Sequence, residues 1–280
     1  QALQISVSMG DYEGEALALH NVANGLVYTF AVNDIRADYQ RAHEIYERLQ
    51  HQVGLASIAV DEAMFETEIG LLARAHAGFE NAEKIAAAID HRWILCVALI
   101  DDAYCERLRS ETKRALECAA DALRLAQELH STTLESAALG VLGCAELQKG
   151  DTAGAIRHLR RGVELRRGSE PTPRLGDNLR ALADALLAAG QVDEAASVAT
   201  ELSSLYESHP HLAPQPAEWL GCIARACAAT GRRRDASIAW QRAAATVMER
   251  GARIEDDDTR AAFYDLPFNR EATSRVLLRK

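Results

Sequence analysis

The stretch LGVLGCAELQKGD, residues 139–151, is followed by small or apolar residues at Ala155, Ile156, Leu159 and Gly162. Apolar positions on both sides of its last glycine recur at i, i+3, i+4 and i+7, the spacing of a helix with one apolar face. Gly150 lies where the first helix has to end, because glycine readily adopts the left-handed conformation that stops a helix. The stretch therefore predicts two helices joined by a short turn.

The same pattern returns every 40 or 41 residues. Later turns fall at Gly190 and Gly231, and earlier ones fall at Gly70, Ser110 and Phe30. Each second helix opens with a small residue, and a larger residue follows four positions later; the clearest pairs are Ala155 with Leu159 and Ala236 with Trp240. Repetition at this period is typical of a helical solenoid. Six units are predicted, centred near residues 20–50, 56–90, 96–130, 136–168, 176–208 and 217–250.

These turn glycines and small–large pairs resemble those of tetratricopeptide repeats, over about 240 residues. The resemblance implies an all-α fold: a right-handed superhelical solenoid of about six helix-turn-helix repeats. It places the array at residues 1–250 and a C-terminal capping segment at residues 251–280. Another class of helical solenoid remains an alternative at this stage.

The tail EDDDTRAAFYDLPFNR, residues 255–270, resembles the closing segment of large bacterial ATP-dependent regulators and nucleotide cyclases. That resemblance implies an NTPase domain upstream of the repeats. Considered physically, Asp257 or Asp258 would cap a helix, Phe263 and Leu266 would cover the last repeat, and Pro267 would break the helix. A solenoid needs such a cover to stay soluble.

Composition excludes several functional classes. The net charge of −10 argues against a nucleic-acid binder, and the absence of 18 consecutive apolar residues argues against a membrane span. The six cysteines form no CxxC pair, which favours reduced, buried thiols in a cytoplasmic protein over disulfides or metal ligation. The chain begins at Gln1 without Met or an apolar leader, so we expect it to be part of something longer.

Catalytic motifs are missing from the sequence, which contains no GxxxxGK[ST], GxGxxG, HExxH or GxSxG. His209 and His211 flank a proline in a connector and are interpreted as loop residues. The acids from Glu255 to Asp258 lack the spacing of a calcium loop and are interpreted as helix-terminal charges. We therefore expect no catalysis, no cofactor, no metal and no ATP binding by this chain.

Arginines are concentrated in the fourth unit, at Arg157, Arg160, Arg161, Arg166 and Arg167. The first three share one helix face by their i, i+3, i+4 spacing. The plainest interpretation is a solvated outer surface. The alternatives are a patch for an acidic partner, including the acidic N-terminal part of a second copy, and a nucleic-acid surface, which the lack of interleaved aromatic residues disfavours.

The resemblance implies that the first helix of each unit lines a concave groove. Placing this sequence in that register gives a candidate contact surface of mixed polarity, flanked by Asp101 and Asp102: His20, Asn24, Tyr28, Met64, Glu68, Tyr104, Arg107, Gln148, Arg180, Asp184 and Arg225. Asn24 is the residue type that carboxylate-binding repeats use. The basic residues of that clamp are absent from the matching positions, so carboxylate binding is not predicted from it.

The functional expectation is a non-enzymatic module that binds a protein, peptide or small effector and belongs to a larger cytoplasmic regulator. Three alternatives stay open: a stand-alone, peptide-responsive regulator of the quorum-sensing kind, an assembly scaffold, and an accessory to an enzyme such as a phosphatase. Fold alone carries little information about the partner.

Overall fold

The computed structural model describes residues 2–168 and 170–277, and the side chains of Tyr28 and Leu277 lie outside that part. The described residues form fifteen α-helices and no β-strand, and 84% of these residues are helical. The helices are α1 (Ala2–Met9), α2 (Tyr12–Leu26), α3 (Val32–Arg48), α4 (Gln52–Glu68), α5 (Leu72–Ala88), α6 (Arg92–Leu108), α7 (Thr112–Glu128), α8 (Thr132–Lys149), α9 (Thr152–Glu164), α10 (Pro173–Ala188), α11 (Val192–Ser208), α12 (Pro216–Ala229), α13 (Arg233–Gly251), α14 (Asp257–Asp265) and α15 (Pro267–Leu277).

Helices α2 to α13 form six pairs, and a left-handed residue lies in the turn inside every pair. These residues are Phe30, Gly70, Ser110, Gly150, Gly190 and Gly231. The predicted turns are therefore confirmed even where a side chain replaces glycine, as at Phe30 with φ 57° and Ser110 with φ 66°. Left-handed residues also occur between units, at Gln50, Asp90 and His130, where the sequence pattern did not single them out.

Side-chain caps mark the start of first helices such as α2, α4 and α8, and among the second helices they mark the start of α9. Asp151 caps α9, and its carboxylate accepts a hydrogen bond from the Gly154 N–H at 2.9 Å. In the tail, the predicted cap at Asp257 or Asp258 is wrong, because the residue with extended backbone just before α14 is Asp256. Its carboxylate accepts from the Thr259 N–H at 2.7 Å, while the other two acids lie in the first helical turn.

The helices form two layers. Successive first helices contact one another along the series α2, α4, α6, α8, α10 and α12. Each second helix up to α11 packs between the first helix of its own unit and that of the next unit, as α5 does between α4 and α6, whereas α13 packs between α12 and α15. The small residues predicted at these contacts, Ala155 and Ala195, are fully buried. The first helices thus form the inner, concave layer.

The C-terminal segment returns to the beginning of the array. Phe263 on α14 packs edge-on against Phe30 of the first unit, with ring centroids 5.3 Å apart. The Asn33 amide donates to Glu255 at 2.8 Å. At Gly70 a side chain would lie 2.4 Å from the Ala262 carbonyl oxygen, so this turn needs glycine for space as well as conformation. Phe263 therefore covers the first unit, because the curvature of the array brings its two ends together.

Helix length, the cysteines and Pro267 were also subjects of sequence predictions. None of the described helices is long and apolar enough to cross a membrane. All six cysteines are free, and five of them are buried, as expected for small apolar side chains in helix contacts. Pro267 ends α14 as predicted, and it also begins a further helix, α15, which packs on α12 and α13.

Candidate ligand site on the concave side

Three arginines from separate first helices converge on two carboxylates in the concave layer. Arg107 on α6 donates to Glu218 on α12 at 3.1 Å. Arg225 donates to both oxygens of Asp184 at 2.9 and 3.0 Å, and to Glu271 of α15 at 2.8 Å. Arg180 lies between these pairs, 3.3 Å from Asp184 and 3.8 Å from Glu218. We call these residues the Arg180 cluster.

Burial and charge act in opposite directions on this cluster. Burial opposes ionisation of Glu218, but Arg180 and Arg107 outweigh it and hold the pKa of that carboxyl below its ordinary value. Burial also opposes the charge of Arg180, yet Glu218 and Asp184 raise its pKa well above the ordinary value. These side chains therefore stay ionised inside the protein, because each one is stabilised by oppositely charged neighbours.

A second group of charges, contributed by α4, α6 and α10, adjoins the cluster. Arg174 at the start of α10 pairs with Asp101 on α6. Asp177, one turn further along α10, accepts from the Trp219 indole N–H at 2.9 Å. Glu68 at the end of α4 is 6% exposed, and burial raises its pKa to about 7. Gln215 donates to the Glu68 carbonyl oxygen at 3.2 Å, which ties α4 to the segment before α12.

These groups surround a small cavity that adjoins an open cleft. The cavity has a volume of about 40 Å³. Its wall combines apolar side chains such as Met64 and Val141 with the polar groups of Glu68, Asp177 and Arg180. The cleft lies between Arg107, Asp184, Leu187 and Pro267. Arg180 lines both spaces and marks the junction between them.

Most of the residues predicted for the groove are brought together here. Met64, Glu68, Tyr104 and Arg180 line the cavity. The cleft is lined by the remaining members of this set: Arg107, Gln148, Asp184 and Arg225. Tyr104 donates to Glu218 at 3.4 Å, and Gln148 donates to the Arg107 carbonyl oxygen at 3.2 Å. The structure thus brings these eight predicted residues together around Arg180, and their role in binding stays a prediction.

His20 and Asn24 belong to a different network and line neither the cavity nor the cleft. Both contact Asp61 on α4, His20 at 2.7 Å and Asn24 at 2.8 Å. The Tyr39 hydroxyl donates to the Asn24 side-chain oxygen at 2.6 Å. The amide of Asn24 is therefore used in packing the first two units together. Tyr28 was also predicted here, and its side chain lies outside the described part of the chain.

Sequence reasoning missed several groups that complete the site, chiefly Glu218, Asp177, Arg174 and Glu271. Glu218 precedes Arg225 by seven residues, and Asp177 precedes Asp184 by seven, so each pair lies two turns apart on one helix face. Both acids would have been predicted if the concave face of each of these first helices had been followed two turns further toward its N-terminus. Nothing in the repeat pattern indicated Glu271, because it comes from the capping segment.

A second buried ion cluster lies on the other face of α6. His76 on α5 contacts Asp102 at 3.4 Å and Glu106 at 2.9 Å. Arg109 pairs with Glu106, and Arg114 on α7 lies 3.5 Å from Asp102. The ligand-type atoms of His76, Asp102 and Glu106 are close enough to share a cation. The two arginines already compensate the two acids, so the arrangement is satisfied as an ion network.

The outer arginines are largely engaged with the neighbouring second helix. Arg160 places one Nη nitrogen 2.8 Å from both carboxylate oxygens of Glu194, and Arg167 lies 3.4 Å from Glu201. Arg157 and Arg161 are exposed and form no ion pair with a described residue. The surface is therefore less basic than the run of arginines suggests.

Comparison with models of protein families gives no match, and comparison with curated proteins also gives none. Solved structures give several matches. A Rap protein complexed with Competence and Sporulation Factor aligns with a TM-score of 0.60 at 14% identity, covering 95% of this chain and 88% of that one. The apo form of RapI gives 0.63 at 12% identity, covering 96% and 75%.

A signal transduction ATPase with numerous domains (STAND) from Pyrococcus horikoshii, which has a tetratricopeptide repeat sensor, gives a TM-score of 0.57 at 12% identity. The alignment covers 99% of this chain and 46% of that protein, so the chain spans about half of its length. At such low identity these likenesses establish the fold. The chain is a solenoid of tetratricopeptide-like helical repeats, as its sequence predicts.

Proposed function

We propose that this chain is a non-enzymatic sensor and interaction module of a larger cytoplasmic regulator, and that it binds its ligand on the concave side of the superhelix. The observation that carries the proposal is the junction at Arg180, whose side chain lines both an open cleft and a cavity formed mainly by the first helices. Concave sites with a few converging polar groups are the usual place for ligands. The ligand would be a peptide, a protein segment or a small effector.

The structural neighbours support this proposal by analogy. One is a protein whose repeats serve as the sensor of a STAND ATPase, and another is a Rap protein in complex with a signalling factor. The resemblance of residues 255–270 to the ends of NTPase-linked regulators points in the same direction. The catalytic and output domains would then lie outside this chain.

A stand-alone, peptide-responsive regulator is the second candidate. It is favoured by the extent of the Rap alignment, which covers most of both chains. Both candidates would bind a ligand at the concave site. They differ in which part of the protein responds to the bound ligand. A pure assembly scaffold, by contrast, would use the outer surface as readily as the concave one.

Affinity capture from a lysate of the cells that produce the protein tests the location of the site. In one variant, Leu187→Trp places a large side chain in the cleft, where Leu187 is partly exposed. In the matched variant, Arg157→Glu and Arg161→Glu reverse two unpaired charges on the outer surface. We expect the first variant to lose the captured molecules, identified by mass spectrometry, and the second to keep them. Loss only in the second variant would move the binding surface outside.

A further inference from the structure

Two buried polar groups on the concave cavity lack a hydrogen-bond partner among the described residues. One is the Oε2 oxygen of Glu68, and the other is the Nε of Arg180. The two residues are 6% and 7% exposed, and both line the cavity. A buried polar group left unpaired costs about 1–3 kcal/mol, and charged groups cost more. Two residues of the cavity wall thus each retain one unpaired polar atom, a carboxyl oxygen of Glu68 and a guanidinium N–H of Arg180.

The charges around these two groups differ. Near Glu68, Arg250 and Arg174 face three carboxyl groups, those of Asp177, Asp101 and Glu68 itself. Around Arg180, by contrast, two further arginines are matched by Asp184, Glu218 and Glu271. The Glu68 side therefore favours a positive or proton-donating group. The Arg180 side is balanced in charge but retains an unused donor.

These conditions limit the chemistry of a ligand. A purely anionic ligand would satisfy Arg180 but would face the excess of carboxylates beside Glu68. A purely cationic ligand would satisfy Glu68 and leave the Arg180 N–H unpaired. A ligand with a positive group and a carboxylate satisfies both ends at once.

We propose that the cavity binds a small zwitterion, a free amino acid or a very short peptide, with its ammonium group toward Glu68 and its carboxylate toward Arg180. The inference rests on the proposed function, since it assigns a ligand class to the same concave site. The unused Nε–H of Arg180 can donate a charge-assisted hydrogen bond to one carboxylate oxygen, because the guanidinium keeps its positive charge. An ammonium beside Glu68 would compensate the charge that burial disfavours there.

The wall of the cavity also provides apolar surface for the body of such a ligand. Met64 and Tyr104 supply these contacts. Met64 is unbranched and can change rotamer to make room. Arg180 and Glu218 line both the cavity and the cleft, so a carboxylate that enters through the cleft meets Arg180 first.

Thermal unfolding of the whole chain tests the proposal. The probes are the twenty amino acids and a set of dipeptides and tripeptides, each at millimolar concentration. We expect at least one probe to raise the unfolding midpoint by about 3 °C or more, as binding to the folded state alone does. The N-acetyl derivative of that probe, which lacks the ammonium, and its amide, which lacks the carboxylate, are expected to have no effect.

Variants then locate the two ends of the ligand. Glu68→Gln is expected to weaken binding at least tenfold by isothermal titration, and Arg180→Lys is expected to weaken it similarly. Glu83→Gln is the matched control, because Glu83 is also a largely buried carboxyl whose pKa is raised to about 7 by burial, but it lies on α5 beside Arg114. This control is expected to bind as the unaltered protein does.

The proposal is overturned if no probe shifts the midpoint, if the N-acetyl derivative or the amide binds as well as its parent, or if Glu68→Gln binds normally. Whether free amino acids or peptides respond tells which source supplies the zwitterion. If every probe fails while Leu187→Trp still abolishes capture, the concave site stands and only the ligand class is wrong. If capture also survives Leu187→Trp, the proposed function fails with it.

Discussion

Helix α6 carries charged residues on two faces. The ion-pair partners of one face are close to α6 in the sequence, and those of the other face are far from it. On the outer face, Asp102 and Glu106 are paired with His76 and Arg114 of the flanking second helices. On the concave face, Asp101 is paired with Arg174, 73 residues away, and Arg107 with Glu218, 111 residues away. One face is thus completed by neighbouring repeats and the other by the curvature of the whole array.

The difference has consequences for stability and function. The outer cluster forms as soon as two units pack, so it supports local stability. The concave cluster exists only when distant first helices come together, so it depends on the shape of the whole array. Under the proposed function, such residues would respond to a ligand because a small change in curvature alters their pairing.

Removal of Glu218 is expected to have the largest effect. Glu218→Ala leaves Arg107 and Arg180 inside the protein without their shared carboxylate, and breaking a buried ion pair in this way costs about 3–5 kcal/mol. Glu194→Ala is the control, since it removes the exposed partner of Arg160 and should cost less than about 1 kcal/mol. Chemical denaturation measures both; similar losses would show that the concave cluster is not buried as described.

Glu68 provides a pH-dependent test. Burial raises its pKa to about 7, while the unfolded chain titrates near the ordinary value of 4.5. The folded state therefore holds this proton more tightly, and the stability linked to Glu68 is lost as the pH rises from about 4.5 to 7. Glu68→Gln is expected to stabilise the protein by about 3 kcal/mol at pH 8, with the gain shrinking toward zero near pH 4.5.

Denaturation curves at several pH values measure this gain. Glu83→Gln on the outer side should give a smaller one, because Glu83 also pairs with Arg114 at 3.5 Å and the substitution weakens that contact. A Glu68→Gln variant that is less stable than the unaltered protein at pH 8 would contradict the burial argument.

Overpacking within one unit is expected to have a smaller effect. Ala195 is fully buried at the start of α11, where adjacent helices touch. Ala195→Leu should cost about 1–3 kcal/mol because the extra atoms force neighbouring side chains out of position. Ala196 on the same helix is only partly buried, and Ala196→Leu should be tolerated. Thermal melts compare the two, and an unchanged midpoint for Ala195→Leu would mean that the repeat register is wrong.

The contrast between local and long-range contacts also explains which features could be predicted from the sequence. The fold follows from local rules: Gly150 and Gly190 end helices, and Ala155 and Ala195 allow close packing, so the repeats could be predicted. The register also placed Arg180, Arg107 and Glu68 on the concave side. It could not reveal that Glu218 joins Arg107 or that Phe263 packs on Phe30, since those contacts depend on the summed curvature of six units.

The central claim is that curvature brings distant first helices together into one concave site, and the coupling between Arg107 and Glu218 tests it most directly. A double-mutant cycle with Arg107→Gln, Glu218→Gln and the double variant measures that coupling by chemical denaturation. Residues in contact show interaction energies of about 0.5–3 kcal/mol, and the account predicts a value in the upper half of that range. Additivity within about 0.5 kcal/mol would mean that the two residues, 111 positions apart, do not meet.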